Sequence, residues 1–233
     1  MIDRSRLVLV AAFVVVALVC ARLGFWQAGR LRERRAANAL AQTARSAPPK
    51  VLQGTSAPLS LVNRRVLARG RYDHAHDIVI RSREYRGVPG VEIVSPLLSP
   101  AGDTALLVQR GFVPSPDAFT VAPDSFAESG DVTVEGIALP LVDGHGAPVQ
   151  HGRHTTWARL DGKALADSLP YPLSPVYLLQ SPDSALPRFP RRLDPPSLDD
   201  GPHLSYAIQW FAFAVIALAF AGVFATRRGP GRS

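Results

Sequence analysis

His203, Tyr206 and Trp210 stand three and four residues apart where a long apolar run begins, with Gln209 and Phe213 beside them. Residues at those intervals share one face of a helix. An imidazole would therefore sit at the edge of an aromatic stripe, a setting in which it is a suitable ligand for haem iron. Arg22, Trp26 and Arg30 recur every four residues in the other half of the chain and would form a second stripe. Guanidinium forks at that level could pair with haem propionates. The same spacing also describes a plain aromatic belt with snorkelling arginines, and spacing alone leaves both readings open.

The other chemistry-bearing residues make weaker patterns. His74 and His76 are two apart at a turn or strand start and could face one way, while His151 and His154 are three apart in a glycine-flanked loop. Two ligands do not make a metal site, and solvated loop histidines are the plainer reading of both pairs. His145, in a glycine-rich loop, carries no signal. The single cysteine, Cys20, excludes an intramolecular disulfide framework, C-x-x-C zinc, redox or haem-attachment motifs, and a C-x-x-x-C copper site. There is no G-x-S-x-G, Walker loop or G-x-G-x-x-G, and no carboxylate spacing that marks an acid/base pair. The chain is expected not to be an enzyme.

Both stripes need helices to carry them. The chain has 233 residues, 47% of them hydrophobic, which is too apolar for a disordered protein. Its 21 prolines disfavour a mostly helical soluble bundle. The apolar residues concentrate in two places. Leu7 to Trp26 would span about 30 Å as a helix, with Arg22 near one end where it can snorkel. No A-x-A pattern follows, and Ala17-Leu18-Val19 lacks the small residue expected before a lipidated cysteine, so an uncleaved anchor is expected. Leu204 to Ala225 carries no charge and would span about 33 Å.

Arg227, Arg228 and Arg232 follow the second run and Asp199 and Asp200 precede it, which places the C-terminus in the cytoplasm. Two spans then put the N-terminus there too. Arg30, Arg32, Arg34 and Arg35 oppose this, because they outnumber Arg4 and Arg6. The net charge of +7, carried almost wholly by arginine near the membrane ends, fits lipid headgroups better than nucleic acid, and no nucleic-acid motif accompanies it.

Between the spans, Leu31 to Ala44 reads as a helical continuation stopped by Pro48-Pro49. Short β-like runs follow at Arg65–Tyr72, Asp77–Arg83, Val91–Leu98, Ala105–Val113, Val132–Leu139 and Val176–Gln180. Gly87-Val88-Pro89-Gly90 and Pro100-Ala101-Gly102-Asp103 read as turns, the second closing a β-hairpin. Asp161–Leu169 predicts a short helix with Asp161 as N-cap, and the prolines from Pro187 to Pro202 predict an extended return. The expected fold class is a membrane protein in which two transmembrane α-helices flank an antiparallel β-rich (α+β) extracytoplasmic domain. Its segments are a cytoplasmic 1–6, a span 7–26, a helical extension 27–49, the β-rich domain 50–186, the return 187–203, a span 204–225 and a cytoplasmic 226–233.

Five blocks run in order along the chain: Leu23-Gly24-Phe25-Trp26-Gln27 followed by Arg30-Leu31; Gly70-Arg71-Tyr72-Asp73-His74; Gly87-Val88-Pro89-Gly90-Val91-Glu92-Ile93-Val94-Ser95-Pro96-Leu97; Leu107-Val108-Gln109-Arg110-Gly111-Phe112-Val113-Pro114; and His203-Leu204-Ser205-Tyr206-Ala207-Ile208-Gln209-Trp210-Phe211. Together they resemble the surfeit locus protein 1 family: the end of its first membrane helix, its first strand motif, its central strand, its V-N-R-G-[WF]-V-P box and the opening of its second membrane helix. Gln109 stands where that box has Asn. The resemblance implies an assembly factor for haem-copper terminal oxidases of the cytochrome c oxidase type, linked to delivery or insertion of haem a. The implied partners are the oxidase catalytic subunit, haem a synthase and membrane lipids.

His203 matches the family's candidate ligand to haem iron, with Tyr206, Gln209, Trp210, Trp26 and Arg30 around it. A docking factor that binds the oxidase without haem, and an envelope metal-binding protein or enzyme using His74, His76, His151 and His154, are the alternatives. The arginine-rich, lysine-poor composition suggests a GC-rich bacterial genome, and so the bacterial plasma membrane.

Overall fold

The computed structural model describes residues 4–144, 147–151 and 154–226. His145, the side chains of His151 and His154, and Arg227, Arg228 and Arg232 lie outside the described residues. The elements are helices α1 (Arg4–Ser46), α2 (Gly162–Ser168) and α3 (His203–Thr226), and strands β1 (Lys50–Val51), β2 (Arg65–Tyr72), β3 (Ile78–Tyr85), β4 (Val88–Ser99), β5 (Gly102–Pro114), β6 (Val132–Pro140), β7 (Val149–His151), β8 (His154–Trp157) and β9 (Val176–Gln180). Two compact units form, one of residues Met1–Leu40 with Leu198–Ser233 and one of Ala41–Ser197.

The first unit is an antiparallel pair of helices. Its seam is written mostly in small residues at spacings of three, four and seven. Ala17, Cys20, Gly24 and Leu31 are buried on α1, and Ala207, Ala214, Ala217 and Ala221 on α3. That spacing keeps a narrow stripe facing the partner helix, and small side chains let the backbones approach. At Gly24 a Cβ would lie 2.8 Å from the Phe211 ring, so the glycine is what seats that ring. Phe25 meets Phe211 edge-on at 5.1 Å, and Phe13 stacks on Phe220 and Phe224 at 5.6 Å each. Beyond the apolar stretch, Arg35 pairs with Asp200 at 2.7 Å, and Asn38 donates to the Asp199 carbonyl at 2.8 Å. Leu18, Ile208, Val215 and Leu218 point outward and are more than half exposed. Both helices are long and apolar enough to cross a membrane by length and composition.

The second unit is β-rich. One sheet runs in the order β1-β2-β6-β9-β5-β4-β3-β8-β7. A further pairing of Arg71 with Leu98 and Tyr72 with Leu97 joins β2 to β4, so β2, β6, β9, β5 and β4 close into a ring. Val66, Ala68, Leu97, Leu106, Val108, Val134, Ala138, Val176 and Leu178 fill it, each strand supplying alternate residues. A second cluster lies where α2 covers the sheet through Leu165, against Ile78, Ile80, Val94, Leu107 and Trp157. A third joins Val79, Val91, Ile93 and Val113 to Val121 and Phe126.

All six expected strands form, as do the β4–β5 hairpin, the Asp161 cap and a return without regular helix. The sheet itself is not purely antiparallel. β1 runs parallel to β2, β8 to β3 and β9 to β5. Those partners are distant in sequence, so no local turn announces them. β1, β7 and β8 are too short to show a periodicity and borrow their order from their neighbours. The turn expected at Gly87-Val88-Pro89-Gly90 also moves. Arg86 and Gly87 both take positive φ, 52° and 80°, forming the tip, while Val88, Pro89 and Gly90 already belong to β4.

Candidate functional site

The head of the helix pair holds His203. Its Nδ1 lies 2.9 Å from Gln27 Oε1, a residue that spacing alone did not single out. With the amide oxygen as acceptor, Nδ1 is the donor of this bond, and Nε2 is the ring nitrogen that the contact does not use. A second-shell partner of this kind fixes the tautomer and orientation of a metal-binding imidazole. His203 lines a cleft of about 430 Å³ together with Arg30, Glu33, Arg34, Ala37, Gly201 and Pro202. Arg30 pairs there with Glu33 at 2.7 Å, and Arg34 donates through Nε to the Asp199 carbonyl at 3.2 Å.

The stripes expected from spacing are only partly assembled. His203 and Arg30 share the cleft, and Trp210 is half-buried on the seam side of α3, where it meets Phe213 edge-on at 6.0 Å. Tyr206 and Gln209 are exposed. Trp26 is 57% exposed and lines a different cleft with Arg22, Leu23 and Phe25. Exposure on a helix advances by 100° per residue, so Trp26 falls on the outer side while its neighbour Gln27 turns inward.

The β unit contains a second concentration of chemistry. Opposite Ile93 and Val94 on β4 stand Gly111 and Gln109 on β5, which leaves Arg110 as the extra residue of a β-bulge. The bulge turns the Arg110 side chain, 1% exposed, into the interior. There it donates to Glu128 at 2.5 Å and to the Phe126 carbonyl, with Ser95 Oγ at 3.4 Å, and its guanidinium lies 5.0 Å from the centre of the Tyr72 ring. Arg192 of the return segment approaches Glu128 at 3.6 Å, and burial pushes its guanidinium down from the usual range. Burial pushes the Tyr72 phenol up. Gln109, on the other side of the bulge, donates to Glu92 at 2.6 Å, so its amide keeps a partner on the neighbouring strand. Three of the five sequence blocks thus meet at one ion network. The sequence signal is Arg110 itself, a charge within the apolar run from Ala105 to Val113, and the bulge decides which way it turns.

His74 and His76 face different partners within this region. His74 Nδ1 lies 3.0 Å from Asp77 Oδ2, and its Nε2 accepts the Glu128 backbone N–H at 2.9 Å. His76 Nδ1 lies 2.7 Å from Asp73 Oδ2, which also accepts from Tyr171 at 3.0 Å. Both imidazoles are tied to separate carboxylates, and among the described residues no group of three His, Cys, Asp or Glu side chains could hold a metal.

Asp77 sits in this network with its side chain 3% exposed. Burial raises its carboxyl above the usual range, with Ser95 and His74 opposing. A raised folded-state value means that folding takes up a proton as pH falls from neutral toward the ordinary value near 4. This site therefore adds stability on acidification and loses it as pH rises through the raised value. Glu92 shifts in the same direction, again chiefly by burial. Asp77→Asn keeps an acceptor for His74. It should flatten this part of the profile of melting temperature against pH in the full-length protein, whereas unchanged slopes would refute the assignment.

The fold and these two sites define a class: a partly closed β domain bracketed in sequence by two apolar helices, with an oriented imidazole where the second helix begins. Sequence comparison makes the assignment specific. The description of the SURF1 family matches residues 14–215, and the chain belongs to that family. It is 31% identical to an uncharacterised SURF1-like protein of Mycobacterium tuberculosis, over 93% of this chain and 83% of that protein, and equally so to one of Mycobacterium bovis. It is 27% identical to a SURF1-like protein of Monosiga brevicollis, over 95% of this chain and 89% of the other.

Proposed function

We propose that this protein is an assembly factor for a haem-copper terminal oxidase of the cytochrome c oxidase type, aiding delivery or insertion of haem a into the catalytic subunit. The observation that carries the haem part is His203, whose Nδ1 is engaged by Gln27 at 2.9 Å, leaving Nε2 as the nitrogen for a ligand bond, and which lines a cleft with Arg30 and Arg34. This donor set fits the group. Haem a would supply an iron that accepts the Nε2 lone pair and propionates that meet guanidinium donors. Gln27 holds the ring, Arg30 and Arg34 bring positive charge, and the apolar seam below keeps the imidazole at the helix head.

In this reading α1 and α3 span the bacterial plasma membrane, both termini are cytoplasmic, and the β unit is extracytoplasmic, where it meets the oxidase catalytic subunit and haem a synthase. The test is the optical spectrum of full-length protein purified from cells that make haem a. Bound haem is expected, lost in His203→Ala and weakened about 10- to 100-fold in Gln27→Leu. Haem-free wild-type protein would refute the haem part, and normal oxidase levels after deletion would refute the assembly part. A second reading, docking without haem, draws support from Trp26 lining a cleft without His203. It predicts co-purification with the catalytic subunit that is indifferent to His203→Ala.

A further inference from the structure

We propose that the β3–β4 hairpin tip and the return segment beside it form the docking face for the oxidase, and that this face recognises carboxylates on the partner protein. The inference rests on the assembly reading above and names the surface that reading requires. Tyr85 lies at the end of β3, with the guanidinium carbons of Arg86 and Arg191 each 5.3 Å from its ring centre. Two cations therefore share one ring and are no further apart than twice that distance. Three residues before Arg191, Arg188 lies 5.5 Å from the ring centre of Phe189. Among the described residues none of these three arginines has a carboxylate within ion-pair distance, whereas Arg83, at the base of the same hairpin, is 3.6 Å from Glu92. Glu84 precedes Tyr85 in the strand, so the pleat turns it to the other face.

The arrangement is held in place. Arg191 exchanges two backbone hydrogen bonds with Phe112, at 2.7 and 2.8 Å, and Phe112 packs on Tyr85 at 5.7 Å. Arg86 occupies a left-handed conformation, φ 52°, that residues with a Cβ rarely adopt and that a hairpin of this type assigns to Asn or Gly. Such positions concentrate at functional surfaces. Val88, opposite Tyr85 across the tip, is 46% exposed and adds an apolar contact.

A guanidinium stacked on an aromatic face keeps its in-plane donors free for a bidentate acceptor. Carboxylate and phosphate both fit that fork. Three features favour a protein. Tyrosine and arginine are the residues that dominate protein interfaces. An exposed valine sits among them. Three arginines fall short of the clusters of about four to eight basic residues that mark anionic lipid binding.

The full-length protein in nanodiscs of neutral phosphatidylcholine, titrated with the purified oxidase catalytic subunit, tests this. Arg86→Glu with Arg191→Glu should weaken binding about 10-fold or more. Arg188→Glu, at an exposed position, should weaken it by about 3-fold or more with an unchanged melting temperature, which separates docking from folding. Wild-type binding should fall between about 0.05 and 0.3 M salt. If the wild type binds and the glutamate variants bind equally well, the docking face is elsewhere and the assembly reading stands. If the wild type does not bind, the partner reading falls, and this inference falls with it. If the substitutions matter only after phosphatidylglycerol is added to the discs, the face serves the membrane and the inference is overturned.

Discussion

Arg110→Ala is expected to destabilise the β unit by about 3–5 kcal/mol. A domain of this kind has about 5–15 kcal/mol in total, so the loss approaches unfolding. The reason is asymmetric. Glu128 sits between Arg110 at 2.5 Å and Arg192 at 3.6 Å, and with Arg110 removed only the longer contact remains for a mostly buried carboxylate. The Phe126 carbonyl loses a donor and the Tyr72 ring loses its cation at the same time. Denaturant unfolding of the full-length protein, followed by near-ultraviolet circular dichroism, measures the loss. Arg110→Met combined with Glu128→Gln and Arg192→Met removes all three charges of the network together and should recover much of the stability, because an uncompensated charge costs more than an absent pair. A single Arg110→Ala variant with an unchanged midpoint would show that the network contributes nothing to the fold.

Gly111→Ala, one residue along the same bulge, should destabilise by about 3 kcal/mol or more through an unrelated cause. Gly111 has φ 132°, a conformation side chains rarely take, and a Cβ there would lie 2.1 Å from the Arg191 carbonyl oxygen. That oxygen belongs to backbone and is the acceptor for the Phe112 N–H at 2.8 Å, so it cannot swing aside. The added methyl must displace the return segment, and with it Arg192 from the ion network. A fall in melting temperature is expected, together with loss of the Arg191 stacking on Tyr85, so the variant should also bind the catalytic subunit poorly. Gly54, by contrast, has φ 99° with open space around it, so alanine there meets backbone strain alone and should cost less. Equal effects at the two positions would discard the steric argument.

The bulge between Gln109 and Gly111 shows where sequence reasoning succeeds and where it stops. The strand was legible from its apolar run, and the arginine-glycine pair within it matched a family block. That the strand carries one extra residue, and that the extra residue is Arg110, depends on the register of β5 against β4, which only pairing decides. The helix pair shows the same division. Apolar length identified α1 and α3, and the small residues of the seam are visible in the sequence. Spacing defines an aromatic stripe on each helix alone, and the contact between the two helices brings in a different residue, Gln27, in place of Trp26.

The sequence by itself determined two long apolar helices, six of the strands, the cap at Asp161, the extended proline-rich return and membership of a family. Each is written in local periodicity or in short contiguous blocks, which act over a few residues. Only the tertiary structure decided the ring closure between β2 and β4, the three parallel pairings, the burial of Arg110 and Arg192 around Glu128, and the hydrogen bond that orients His203. Those depend on residues far apart in the chain, Gln27 and His203 among them, whose meeting is fixed by packing and register and leaves no trace in the neighbouring sequence.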